Sequence, residues 1–210
     1  MKKLILLVVF ALSLNVANAQ KQIFESPQLS STIKLHKIVA ILPFIVKITY
    51  KKQPKNFSVE ANKDQEVKMA KSIQSSMYTF LLRKSDKYTV SFQDVEKTNI
   101  LLKKGGVADK LDEMTKDEIA KILGVDAIIS GTFESEQTKS EGAAIASAIL
   151  FGGFGGKTGS GSLTMMVNNG MDGELLWRFF KTMDDSISTS TDDLVESMMR
   201  KVSRNFPYLK

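Results

Sequence analysis

Apolar residues follow two rhythms along this chain, and the switches between them mark out its elements. From Lys37 to Phe44 (KIVAILPF) the positions are almost continuously apolar and rich in β-branched residues, the pattern of a strand buried on both faces. Pro43 cannot donate to a ladder, so the strand is expected to end or bulge there and Ile45 to Tyr50 to continue as an exposed arm. From Asp64 to Lys84 the rhythm changes. Val67, Ala70, Ile73, Met77, Phe80 and Leu81 recur every three or four residues, which predicts an amphipathic helix. Tyr88 to Phe92 alternates as a short strand, and Asp94 is placed to cap a second helix that reaches Lys104 before Gly105 and Gly106. Thr115 and Glu118 have the spacing of a capping box, opening a short helix ended by Gly124.

Val125 to Phe133 is the next buried strand, with Ile38 to Leu42 as its expected partner, and it runs into the polar stretch from Glu134 to Lys139. Leu163, Met165 and Val167 alternate along one strand and Leu175, Trp177 and Phe179 along another. Asn169, Gly170, Asp172 and Gly173 lie between them and supply turn chemistry, so the two strands form a hairpin. Ser190 or Thr191 caps a last helix with Leu194, Val195, Met198, Met199, Val202 and Phe206 on its apolar face, stopped by Pro207. The order β-α-β-α-α-β-β-β-α predicts a single α/β domain: a mixed β-sheet with helices packed against it and a C-terminal β-hairpin plus helix.

The first 19 residues read differently. Lys2 and Lys3, the apolar run from Leu4 to Leu14 and the small residues Ala17 and Ala19 have the layout of a cleavable bacterial export signal. As a helix, eleven apolar residues rise only ~16 Å, about half of a ~30 Å hydrocarbon core. The expected organisation is a signal peptide over 1–19, an extended leader over 20–35 and the α/β domain over 36–210, with an apolar and glycine-rich insertion at 142–161. Composition narrows the chemistry. Hydrophobic residues make up 43% and charged ones 25% of the 210 positions, a globular balance. There is no cysteine, hence no disulfide framework, no thiol nucleophile and no lipid anchor on an N-terminal cysteine, so the chain is not expected to be a lipoprotein.

The net charge of +6 includes the two lysines of the signal, and the remaining excess gathers at Lys47, Lys51, Lys52, Lys55, Lys63, Lys68 and Lys71. No arginine-rich or aromatic-interleaved pattern accompanies them, which argues against nucleic acid and for a solvated face, with an anionic lipid or wall polymer as the alternative. A lone histidine, His36, supplies neither a triad nor a zinc pair and is expected at a strand end. Gly152 to Thr158 resembles a phosphate loop, but Phe151 stands where its first glycine belongs. Asn168 to Glu174 has a faint calcium-loop look, but Gly170 falls on a ligand position. No cofactor, metal or catalytic residue is predicted, and the protein is not expected to be an enzyme.

Ala143 to Phe154 is apolar and runs into a segment dense in glycine. Twelve residues make an ~18 Å helix, too short to span a bilayer. The entropy of ordering them exceeds what burial of their few large side chains returns, so the segment calls for a docking surface. That surface is the protein's own sheet, another subunit or a membrane interface. Ile149, Leu150, Phe151 and Phe154 are the candidate contact residues.

Taken together, Lys37 to Phe44, the long helix, Tyr88 to Val90, Ala120 to Phe133 (AKILGVDAIISGTF) and Asp172 to Trp177 (DGELLW) resemble the bacterial envelope family of CsgG-type curli secretion components. The same pattern is similar to LpoB-type activators of peptidoglycan synthases and to the N-terminal domain of TolB. The resemblance implies a periplasmic or outer-membrane-associated protein without an active site, acting by assembly or by contact with other envelope proteins. The expected function is thus a periplasmic accessory or scaffold in envelope assembly or secretion, partnered by envelope proteins. A homo-oligomer and a peripheral membrane contact stay open. The alternatives are a membrane-associated export component related to the curli pore, and a small-molecule or glycan binder using a sheet edge near Trp177.

Overall fold

The computed structural model describes residues 21–55, 57–137, 158–184, 191–202 and 205–210. Strand β1 (Lys21–Glu25) precedes a single helical turn, α1 (Leu29–Thr32), and leads to β2 (Ile38–Ile41) and β3 (Ile45–Tyr50). The long helix α2 (Val59–Leu82) follows, then the two-residue β4 (Ser91–Phe92), α3 (Val95–Lys104) and α4 (Lys116–Leu123). The chain closes with β5 (Ala127–Gln137), β6 (Thr158–Asn169), β7 (Leu175–Asp184) and α5 (Thr191–Val202). The seven strands form one mixed sheet in the order β1-β7-β6-β5-β2-β4, with β3 also on β5, and it is not closed into a barrel. This is the single α/β domain that the pattern predicts.

Local chemistry sets the helix boundaries. The Ser58 hydroxyl accepts from the Ala61 N–H at 3.2 Å, and the Asp94 carboxylate from the Lys97 N–H at 3.0 Å. The Thr115 and Glu118 capping box is formed, and Gly124 ends α4 in the left-handed region at φ 64°. The long helix starts at Val59, five residues before the expected Asp64.

Two elements differ from the sequence expectation. Ile45 to Tyr50 is no exposed arm: it is β3, parallel to the C-terminal half of β5, with Val46 and Ile48 buried. Ile41 pairs with Ile129 and Ile45 with Thr132, so three residues on one side face two on the other. Pro43 sits in this bulge, and the bulge shifts the alternation by one position. Val39 and Ile41 face the same core as Phe44, Val46 and Ile48. The second difference is the leader: Lys21 to Glu25 pairs antiparallel with β7, and Leu29 to Leu35 is helical.

Each face of the sheet has its own core. On one face α2 and α5 cover the strands, with Ile73, Met77, Leu81, Met199 and Val202 packed on Ile41, Ile129 and Val167. On the other, α3 and α4 cover only the end where β2 meets β5, through Leu102, Ile119 and Leu123 on Ala40, Leu42 and Ile128.

The edge carrying β3 is closed by side chains of α2. Glu66 Oε1 accepts the Ile48 N–H at 2.9 Å, Asn62 Nδ2 donates to the Ile48 carbonyl at 3.2 Å, and Gln74 Nε2 donates to the Ile41 carbonyl at 2.7 Å. Ahead of β4 the C-terminal residues pair with the chain: Thr89 N–H donates to the Tyr208 carbonyl at 2.9 Å and Lys210 N–H to the Lys87 carbonyl at 3.0 Å.

Gly131 lies under the Phe44 ring, and a Cβ there would collide with that ring and come within 2.6 Å of the Thr164 carbonyl. Gly131→Ala is therefore expected to destabilise the fold by about 1 to 3 kcal/mol, the usual cost of overpacking, read as a lower urea midpoint at unchanged slope.

Candidate functional site

The only histidine, His36, lies between β1 and β2 and is buried. Its Nδ1 is 2.8 Å from the Tyr208 hydroxyl and its Nε2 is 3.3 Å from Asn169 Oδ1. An amide oxygen only accepts, so Nε2 carries the proton and the Tyr208 hydroxyl donates to a bare Nδ1. The His36–Tyr208 contact joins the head of β2 to the tail of the chain. Below them Asp126 Oδ2 accepts the N–H groups of Lys37 at 2.7 Å and Ile38 at 2.8 Å. Burial alone would raise the Asp126 pKa, but those two N–H donors, with His36 and Lys37 nearby, together take it below the ordinary carboxylate value. This cluster is structural: every polar atom of the imidazole is spent on holding the chain together.

Trp177 is also structural. It is fully buried, stacked on Phe179 at 6.1 Å and edge-on to Phe206 at 6.1 Å. Strand β7 lies inside the sheet, between β1 and β6, so Trp177 itself is not on a sheet edge. The stretch from Asn168 to Glu174 is a hairpin turn. Asn168 Nδ2 donates to the Gly173 carbonyl at 3.0 Å, and Asp172 Oδ1 accepts the Glu174 N–H at 2.9 Å. Among the described residues no group of three or more His, Asp or Glu side chains is arranged to hold a metal ion.

A cleft of about 370 Å³ opens between α2 and α5, with Ser75, Ser76 and Thr79 on one wall and Glu196 on the other. Phe80 forms part of it, with the Lys84 ammonium 4.0 Å from the ring centroid and the Arg83 guanidinium 5.8 Å away. Of the lysine group, Lys47 lies 4.0 Å from Glu134 and Lys63 lies 3.7 Å from Glu66. The Lys47–Glu134 pair is exposed on both sides and contributes little to stability.

The larger surface is the sheet face that α3 and α4 leave uncovered. Register places Ile45, Thr132, Thr164, Phe180 and Gln22 in one row across five strands. A second row holds Ser130, Met166, Arg178 and Phe24, and a third Lys47, Glu134, Ser162 and Thr182. Ile45 and Phe24 are each 48% exposed, and Thr132, Thr164, Met166 and Phe180 are half-buried. Four large apolar side chains, Ile45, Met166, Phe180 and Phe24, thus lie among threonines beside a polar row, a mixed surface of the kind found at protein contacts.

The expected contact residues Ile149, Leu150, Phe151 and Phe154 lie outside the described residues, as do the glycines from Gly152 to Gly156. What is fixed is where that segment joins the fold: the chain leaves β5 at Gln137 and rejoins β6 at Thr158, two residues paired with each other. Thr158 to Gly161, expected within the insertion, belong to β6. The sheet rows are beyond sequence reasoning, because the face of β3 depends on the bulge at Pro43 and β1 carries no periodic signal.

No family model matches the chain, and no curated protein matches it. Among solved structures it is similar to lipoprotein GNA1162 from Neisseria meningitidis, at 12% identity and TM-score 0.47, over 80% of this chain and 99% of that one. It is also similar to the PelC dodecamer from Paraburkholderia phytofirmans, at 12% identity and TM-score 0.36, over 87% and 93% of the two chains. A third is the C-terminal domain of LpoB from Salmonella enterica, at 9% identity and TM-score 0.35, over 75% and 93%. Among the described residues no helix is long and apolar enough to cross a membrane.

The His36 cluster makes a pH prediction. Burial lowers the His36 pKa from its ordinary 6.5, against the upward pull of the Asn169 hydrogen bond and of Asp126 and Asp172. Below pH 6.5 the unfolded chain therefore binds more protons than the folded one, and stability falls as the pH drops towards the lowered folded value. The urea midpoint should decline over that window, and His36→Asn should flatten the decline. Tyr208→Phe, which removes the donor to Nδ1, should cost about 1 kcal/mol at neutral pH in the same assay.

Proposed function

We propose that this protein is a non-enzymatic periplasmic accessory or scaffold of the bacterial envelope, acting through protein contacts in envelope assembly or secretion. The observation that carries the proposal is the sheet face that α3 and α4 leave uncovered among the described residues. Its row of Ile45, Thr132, Thr164 and Phe180 crosses β5 and β6, the two strands between which the apolar segment holding Ile149, Leu150, Phe151 and Phe154 is inserted. The N-terminal export pattern supports the compartment. The partner is an envelope protein presenting an apolar surface with a polar rim, and the four residues of the insertion are its primary contacts.

The test uses in-cell crosslinking followed by recovery of the protein's complexes from the envelope fraction. Phe151→Asp combined with Phe154→Asp is expected to abolish the crosslinked complexes while leaving the circular dichroism spectrum and thermal midpoint unchanged. Ile45→Lys, a substitution at an exposed position, should weaken the same complexes if the sheet face takes part. Complexes that survive the double substitution in a folded protein would overturn the proposal.

A further inference from the structure

The two edges of the sheet are treated differently. On the β3 side, Glu66 and Asn62 take up the backbone N–H and carbonyl of Ile48 and Gln74 takes up the Ile41 carbonyl, and ahead of β4 the C-terminal residues bond to Lys87 and Thr89. On the other side stands β1, paired only with β7. The Ser26 N–H donates to the Leu176 carbonyl at 2.8 Å, which continues the register of β1 on β7. In an antiparallel ladder every second residue exchanges bonds with its neighbour, so Gln22 and Phe24 bond inward to β7. Lys21, Ile23 and Glu25 turn their N–H and C=O groups outward. Among the described residues nothing hydrogen-bonds to the outward groups of Ile23 and Glu25. An edge of this kind is a template for a further strand.

We propose that the occupant of this edge is β1 of a second copy, paired antiparallel about a twofold axis through Ile23. The sequence of the strand, KQIFE, carries the argument. Centred on Ile23, the pairing sets Lys21 of each copy opposite Glu25 of the other, a basic residue facing an acidic one at both ends of the seam. Ile23 faces Ile23, and Gln22 faces Phe24. The residues in direct register, 21 with 25 and 23 with 23, are those whose backbone groups point outward. The seam therefore forms about six backbone hydrogen bonds with no adjustment of either sheet. Phe24 lies on the uncovered face, and its exposed ring gains a neighbour across the seam.

A strand from an unrelated partner would find the same hydrogen bonds but not this charge register. The assembly also closes. A twofold seam consumes β1 of both copies, so the same contact cannot recruit a third copy and growth through it stops at a dimer. Because the seam does not involve Ile149 to Phe154, it stands apart from the partner contact proposed above.

Sedimentation velocity over a concentration series is the deciding measurement, on the protein purified as the cell delivers it. The wild type should weigh twice the monomer mass at high concentration. Glu25→Pro removes an outward N–H and the seam carboxylate but no bond to β7, so it should yield a monomer with unchanged circular dichroism and thermal midpoint. Glu25→Lys keeps every backbone group, sets like charges across the seam and should weaken the dimer several-fold. Phe24→Cys, the sole cysteine in that variant, should be joined to its counterpart by a short bifunctional maleimide. Phe151→Asp with Phe154→Asp should leave the dimer mass unchanged. A wild type that stays monomeric at every concentration, or a dimer indifferent to Glu25→Pro, would overturn the proposal.

Discussion

The fit of the Phe44 ring over Gly131 fixes the relation between the two halves of the sheet. Strand β5 is long enough to pair with both β2 and β3, but these reach it through a bulge of one extra residue at Pro43. A bulge is stable only if something fills the displaced turn of backbone and keeps the ladder from sliding back into register. The aromatic ring does so, resting where β5 has no side chain. Were β3 to slip by one position, Val46 and Ile48 would face water and Ile45 and Lys47 would enter the core. The polarity of the whole uncovered face follows from that single registration.

The bulge also leaves backbone groups without a strand partner, and α2 supplies the substitutes. Gln74 takes the carbonyl of Ile41 just before the break, while Glu66 and Asn62 take the N–H and carbonyl of Ile48 beyond it. Buried or half-buried backbone groups would be costly if unpaired, so these three side chains do for the edge what another strand would do. One helix thereby covers a core with one stripe and seals a sheet edge with another. The polar residues in the middle of α2, which look like ordinary solvent positions, are part of the strand chemistry.

Features that depend on neighbours in sequence were legible. The Thr115 and Glu118 capping box, the Asp94 cap, the hairpin about Asn169 and Gly173, and the apolar stripe of α2 all follow from spacings of a few residues. The buried strand at Ala127 and its pairing with Ile38 to Ile41 were legible too, because doubly covered strands have an unusually continuous apolar run. Strand β3 was missed because Pro43 shifts the phase of its alternation. Strand β1 was missed because five residues with two adjacent apolar positions show no period at all. Of the candidate site, the apolar insertion could be picked out by composition. The sheet face it adjoins could not, since its rows are set by register across five strands. The His36 to Tyr208 contact spans 172 positions, a separation at which sequence carries no local signal.

That contact and the pairing of β1 with β7 have a consequence in time. Strand β1 waits for β7, and the imidazole ahead of β2 waits for a hydroxyl almost at the end of the chain. No partial chain emerging during synthesis can complete the sheet, so closure is a late event governed by long loops. Until then the sheet lacks its outer strand and the imidazole lacks one of its two partners. A topology that ties its two ends together works as a clock as well as a clasp.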